Sequence, residues 1–164
     1  MNRIATGKDG CDMTNKRHAY TVVVGCGRLG AGIADTLYGE GEDVVVVDKD
    51  KDKDKDSFRK LSSSFGGLSV EGNGMDLDIL DSVELKRADT LIAVTDNDNV
   101  NIMISQLAKE VFNVRKVIAR LSDPQRSCVY QDFGIETICP SVLSARQVDL
   151  ILNRGTEASK EVHA

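Results

Sequence analysis

Residues 20–30 read YTVVVGCGRLG, and this stretch decides the fold. Tyr20–Val24 is apolar without polar alternation, the pattern of a parallel strand covered on both faces by helices. It runs directly into Gly25-Cys26-Gly27-Arg28-Leu29-Gly30, a GxGxxG turn. Gly25 permits the tight turn, Gly27 lets phosphates approach the backbone, and Gly30 lets the following helix close on the sheet. The N–H groups at the start of that helix face the anion. Such a turn is weak evidence alone, so its surroundings decide what it is worth.

The next apolar run, Val44–Val47, ends in Asp48, at about the 20-residue spacing of dinucleotide folds. A carboxylate there accepts hydrogen bonds from ribose hydroxyls and repels a 2'-phosphate, so NADP is disfavoured. Further outward, apolar runs recur at Tyr20–Val24, Asp43–Val47, Leu68–Glu71, Thr90–Val94, Lys116–Leu121 and Ile135–Cys139, each followed by an amphipathic stretch. This alternation predicts an α/β fold: a Rossmann-like doubly wound sheet of six parallel strands with helices on both faces. Leu29, Ile33 and Leu37 give the first helix an apolar stripe, ended by Gly39 and Gly41. Val100, Met103, Ile104, Leu107 and Val111 do the same for a later helix, with Asp96 or Asp98 as its cap, and Asp123-Pro124 opens another.

Ligands of such sheets lie outside the carboxyl ends of the strands, which singles out Gly72-Asn73-Gly74, Thr95-Asp96 and Arg120. Asn73 carries both donor and acceptor for an adenine edge, or belongs to an ordinary turn. Thr95 and Asp96 line the site or cap a helix. Arg120 interrupts an apolar strand and needs an anion, either a ligand phosphate or a neighbouring carboxylate. Arg28 places a cation inside the turn. That favours more negative charge than a bridging pyrophosphate carries and brings ATP or ADP into competition with NAD(H); an exposed surface arginine is the alternative. Cys26 sits where a helix dipole can stabilise a thiolate, or is a small packed side chain.

The 164 residues, 41% hydrophobic, suit one compact domain. Its expected extent is 19–154, between a flexible leader (1–18) and tail (155–164), with no C-terminal ligand domain. With 26 acidic against 21 basic residues and a net charge of -5, no attraction to nucleic acid or anionic lipid is expected. No apolar run approaches the roughly 18 residues of a membrane span, and the start lacks a secretory signal, so a cytoplasmic protein without direct membrane insertion is expected. The four cysteines form no CxxC pair and the two histidines lie near the ends, a poor basis for a metal site. Lys49 to Asp56 strictly alternates Lys and Asp, which reads as a solvated insertion.

The segments VVVGCGRLG (22–30), VVVVDKD (44–50), Gly72-Asn73-Gly74, ADTLIAVTDNDNVN (88–101), VIARLSDP (117–124) and FGIETICP (133–140) resemble the TrkA N-terminal domain family. This family, also called the KTN or RCK N-terminal domain, regulates potassium uptake systems and channels. The resemblance spans about residues 19–148. It implies a regulatory, non-catalytic domain that binds NAD(H) or ATP/ADP, forms a homodimer or larger ring, and controls a potassium-conducting membrane subunit from the inner face of the membrane. It carries binding roles onto Gly25, Cys26, Gly27, Arg28, Leu29, Asp48, Asn73, Gly74, Thr95, Asp96 and Arg120. In ATP-binding relatives the arginine matching Arg28 reaches the terminal phosphate, sometimes across the dimer. Ser141 stands where some members place a carboxylate for a divalent ion after the proline. The competing functions are a small NAD-dependent oxidoreductase and a redox sensor using Cys26. The former is opposed by the lack of a substrate domain, of a histidine near a strand end and of a Tyr-x-x-x-Lys pair.

Overall fold

The structure, a computed structural model, describes residues 18–49, 57–126 and 130–158, with side chains to residue 153. The strands are β1 (Tyr20–Val24), β2 (Asp43–Asp48), β3 (Leu68–Glu71), β4 (Thr90–Ala93), β5 (Lys116–Arg120) and β6 (Glu136–Ile138). The helices are α1 (Arg28–Gly39), α2 (Leu77–Ser82), α3 (Asp98–Glu110) and α4 (Pro140–Ala158), with short 3-10 turns at Phe58–Lys60, Leu85–Arg87 and Pro124–Arg126. The six strands form one sheet in the order β3-β2-β1-β4-β5-β6, and every pair is parallel. The chain winds from β1 to one edge, then returns to lay β4 on the other side of β1. At that reversal the two outgoing connections part, and a crevice opens above the strand ends.

Side chains alternate across each strand, so an unbroken valine run divides between two cores. Val22, Val24, Val45, Val47, Leu91 and Ala93 face α2 and α3, meeting Leu80 and Ile104. Val23, Val44, Val46 and Ile92 face α1, meeting Ala31 and Ala34. Each fully buried side chain of this size stabilises the fold by about 1.5–3 kcal/mol relative to exposure.

The predicted strands stand, with ends moved by about one residue. The helix faces need correction. In α1 the residues pressed on the sheet are Gly30, Ala31 and Ala34, while Leu29, Ile33 and Leu37 flank them half-buried. Small residues let the helix axis approach closely, which an apolar stripe cannot reveal. In α3 the buried face is Asn101, Ile102, Ile104, Ser105 and Ala108, and the predicted stripe members Met103 and Val111 are 49% and 46% exposed. Ile104, Val100 and Leu107 of the predicted stripe do pack on the core, and the face is shifted because two core-facing positions are polar. Ser105 Oγ donates to Asn101 O at 2.7 Å, so its burial leaves no orphan.

The cap of α3 is neither Asp96 nor Asp98. Asn97 Oδ1 accepts from the N–H groups of Asn99 and Val100, and the Asp98 carboxylate instead accepts from Ser122 N. At the end of α1, Gly41 takes φ +90 and its N–H donates to Tyr38 O, the expected glycine stop. Asp123 Oδ1 accepts from Gln125 N and opens the 3-10 turn at Pro124; residues 127–129 lie outside the described residues. Helix α4 continues to Ala158, past the expected domain end at 154. The leader 1–17, tract residues 50–56 and residues 159–164 also lie outside the described residues. Among the described residues, no helix is long and apolar enough to cross a membrane.

Candidate functional site

A cleft of about 470 Å³ lies above the strand ends at the β1/β4 reversal. Gly25, Cys26 and Gly27 form one wall, Asp48 ends β2, and Asn73 and Gly74 follow β3. Thr95 and Asp96 follow β4, and Arg120 ends β5. Strand register, set by the core valines, brings these strand ends level.

The three glycines of the turn do three different things. Gly25 has φ +106, and a Cβ on it would lie 2.8 Å from Thr95 N, so conformation and close approach both require glycine. At Gly30 a Cβ would lie 1.8 Å from Gly25 O, so α1 could not close on the turn. Gly30→Ala is therefore expected to destabilise the fold by about 1–3 kcal/mol. A urea midpoint equal to that of the parent protein would disprove this packing account. Gly27 is different. It caps α1 with ordinary backbone angles, φ -73 and ψ -175, and a Cβ there would meet nothing within 4 Å. No fold constraint explains that glycine.

Cys26 is fully buried, and its side chain packs in the α1-facing core. Burial first, and the Asp48 charge second, push its thiol up to about 11. This favours the packed reading of Cys26 over a dipole-stabilised thiolate. What Cys26 offers is its backbone N–H, donated to Asp48 Oδ2. Cys139 is the contrasting thiol, lowered by the Ser141 hydroxyl and the Val142 N–H. Alkylation of the folded protein with iodoacetamide near neutral pH should label Cys139 well before Cys26. Peptide mass spectrometry showing equal labelling would contradict the burial argument.

Asp48 gives one carboxylate oxygen to Cys26, and Oδ1 has no protein donor among the described residues. Asn73 does form a turn, since its Oδ1 accepts from Met75 N at 3.2 Å. Its amide NH₂ remains to donate toward a ligand acceptor. Gly74 is buried, and a Cβ on it would stand 2.4 Å from Val24 Cγ1, so packing alone accounts for this glycine.

Asn101 carried no signal in the apolar pattern, yet it organises the far wall. It is fully buried, and its Oδ1 accepts from Thr95 N at 2.8 Å and Thr95 Oγ1 at 2.6 Å. Its Nδ2 donates to Thr95 O at 3.1 Å and Arg120 O at 3.0 Å. One amide thus ties the ends of β4 and β5 to α3. Arg120 is less well satisfied. Its Nη1 makes one long contact to Thr95 O at 3.4 Å, and its Nε is buried without a partner. Among the described residues no carboxylate pairs with it.

Three residues of the turn do not line the cleft. Gly30 lies under it, and Arg28 and Leu29 border a shallow groove on the outer side of α1, with Ile33 and Leu37. Arg28 therefore borders the α1 groove and does not line the cleft. Lys60 and Ser57, which the sequence pattern did not mark, do line it.

The TrkA-N domain family matches residues 21–140. The chain belongs to the TrkA-N family. A relative of this TrkA-N domain, the Trk system potassium uptake protein TrkA of Streptomyces coelicolor, is 41% identical over 129 residues, covering 79% of this chain and 56% of that protein. The chain thus spans about half the length of this curated relative. Among solved structures, the TrkA-N domain of the Escherichia coli inner membrane protein ybaL is similar, with TM-score 0.69 and 21% identity over 84% of this chain and 98% of that one. The Shewanella denitrificans Kef CTD, solved in AMP-bound form, has TM-score 0.65 and 20% identity over 88% of this chain and 82% of that one. At these identities both structures speak for the fold of the TrkA-N domain alone.

Proposed function

We propose that this TrkA-N domain is a regulatory module that binds an adenine nucleotide in the β1/β4 cleft and controls a potassium-transporting membrane partner. The observation that carries this is Arg120, a cation with a buried, unpartnered Nε at the edge of a cleft whose opposite wall is a helix start without a side-chain cap. Both features are satisfied by an anion. Asp48 supplies a ribose acceptor and its charge disfavours NADP, leaving NAD(H) or ATP/ADP. The name of the Streptomyces coelicolor relative supports the potassium role, and the AMP-bound Kef structure supports the ligand class.

Regulation would work through differential affinity. A ligand that fits two arrangements of a dimer or ring unequally shifts their balance, and the shift is passed to the membrane partner at the inner membrane face. Arg28, which borders the α1 groove and not its own cleft, is then available to the ligand of a neighbouring protomer. A catalytic role has less support, because among the described residues no histidine lines the cleft and its one thiol is held protonated by burial.

Melting curves with ATP, ADP, AMP, NAD and NADH test the proposal, since a ligand that binds only the folded state raises the midpoint. Arg120→Gln should weaken every phosphate-bearing ligand by about tenfold and leave adenosine unchanged. If no adenine nucleotide shifts the parent protein, the proposal fails.

A further inference from the structure

The sequence pattern gives the phosphate-reading cation as Arg28, yet that side chain lies in the outer groove of α1. The cleft contains another cation, brought in from a different part of the chain. After β2 the backbone passes through the 3-10 turn Phe58–Lys60, and Phe58 and Leu61 pack on the α1-facing core. Asp35 of α1 then fastens this turn. Its carboxylate accepts from Ser62 N at 3.1 and 3.0 Å and from Ser62 Oγ at 3.0 Å. With both anchors in place, Lys60 and Ser57 line the same cleft as Gly25, Gly27 and Asp48. The Lys60 charge also reaches the Cys26 thiol, in keeping with its place in the lining of this cleft. Among the described residues, no hydrogen bond or ion pair engages that ammonium.

We propose that Lys60, assisted by Ser57, binds the 5'-phosphate chain of the adenine nucleotide within its own protomer, so that the cleft discriminates ligands by phosphate number. This rests on the nucleotide-binding function proposed above. A lysine suits the task, being a compact charge on a flexible stem that follows phosphates rather than fixing one geometry. Asp35 and Ser62 are positioning residues, because they hold the turn and do not touch the ligand. The ligand class this favours is a nucleoside di- or triphosphate over a monophosphate.

The test is calorimetric titration of the full chain with adenosine, AMP, ADP, ATP, NADH and NADPH, for the parent protein and Lys60→Met. Lys60 is exposed, so the unliganded melting temperature of the variant should equal that of the parent. In the parent, affinity should rise from adenosine through AMP and ADP to ATP. Lys60→Met should weaken ADP and ATP by about tenfold, change adenosine by less than about twofold, and flatten the salt dependence of ATP binding. Equal ATP affinity in parent and variant overturns the proposal. So does a loss confined to NADPH relative to NADH, which would place Lys60 on a ribose 2'-phosphate instead. A parent protein that binds none of the six ligands fails the nucleotide function itself, and that failure is visible before any variant is made. Asp35→Ala supplies an independent check through a double-mutant cycle. It should weaken ATP in the parent background and add nothing in Lys60→Met, whereas additive losses overturn the positioning role.

Discussion

Replacing Gly27 by Asp is expected to raise the melting temperature of the unliganded protein while removing adenine nucleotide binding. Gly27 caps α1 without any side-chain cap, and the first-turn N–H groups of a helix have no intrahelical partner. Asp is among the best N-cap residues, and its charge also complements the positive end of the helix dipole. The backbone angles, φ -73 and ψ -175, are ones any residue adopts, and the Cβ enters open space. The carboxylate should therefore stabilise the fold by about 1 kcal/mol, or about 2–4 °C for a domain of this size. It does so by occupying the N–H groups that the phosphates need, with the same sign of charge. Affinity for ATP and NADH should fall by about 100-fold or more. A variant that melts below the parent, or that keeps its nucleotide-induced shift, would show that the glycine serves the fold and not the ligand.

The contrast with Gly30 shows what a glycine pattern can and cannot convey. GxGxxG marks both positions, but only the surroundings of each in the fold separate a residue that packing requires from one that packing ignores. The sheet itself was legible, because valine runs such as Val44–Val47 have no solvent face to encode, and Asp48 followed at the dinucleotide spacing. Arg28, which the motif marks beside the phosphates, borders the α1 groove and not the cleft, a placement the motif does not encode. It is the first residue of α1, where side chains lie along the outside of the helix start. Lys60 had no local signal at all. Its place in the cleft depends on a contact between Asp35 and Ser62, 27 residues apart, and on aromatic packing of a turn that follows an uninformative charged tract. Of the two readings of Cys26, the small packed side chain agrees with its place in the α1-facing core, where burial first and the Asp48 charge second raise the thiol. Asn101 was hidden because a polar residue on a core-facing helix position looks like an interruption until its four hydrogen bonds are traced.

Those bonds lead to the largest stability effect expected in the molecule. Asn101→Leu keeps the branching and heavy-atom count of the side chain and keeps the helix, but it leaves Thr95 N, Thr95 O and Arg120 O without the amide that satisfied them. These groups are part-buried, so each loss falls toward the lower end of the roughly 1–3 kcal/mol cost of an orphaned group, and a total of about 3–5 kcal/mol is expected in urea unfolding. Nucleotide binding should weaken as well, since the same amide fixes the ends of β4 and β5 that carry Thr95 and Arg120. Asn101→Asp separates hydrogen bonding from bulk. Its ionised form retains the acceptor for Thr95 but turns a second oxygen toward the carbonyls of Thr95 and Arg120, where a donor is required. Only the protonated form has a hydrogen to donate to one of them. The folded state thus favours the protonated acid, and its carboxyl must titrate above the unfolded value of about 3.9. Stability is then present below that value and is lost as pH rises through the folded one. Asn101→Asp should approach the parent's stability near pH 4 and fall well below it at pH 7. If the deficit relative to the parent is the same at both pH values, the amide does not bridge the two strand ends as a donor.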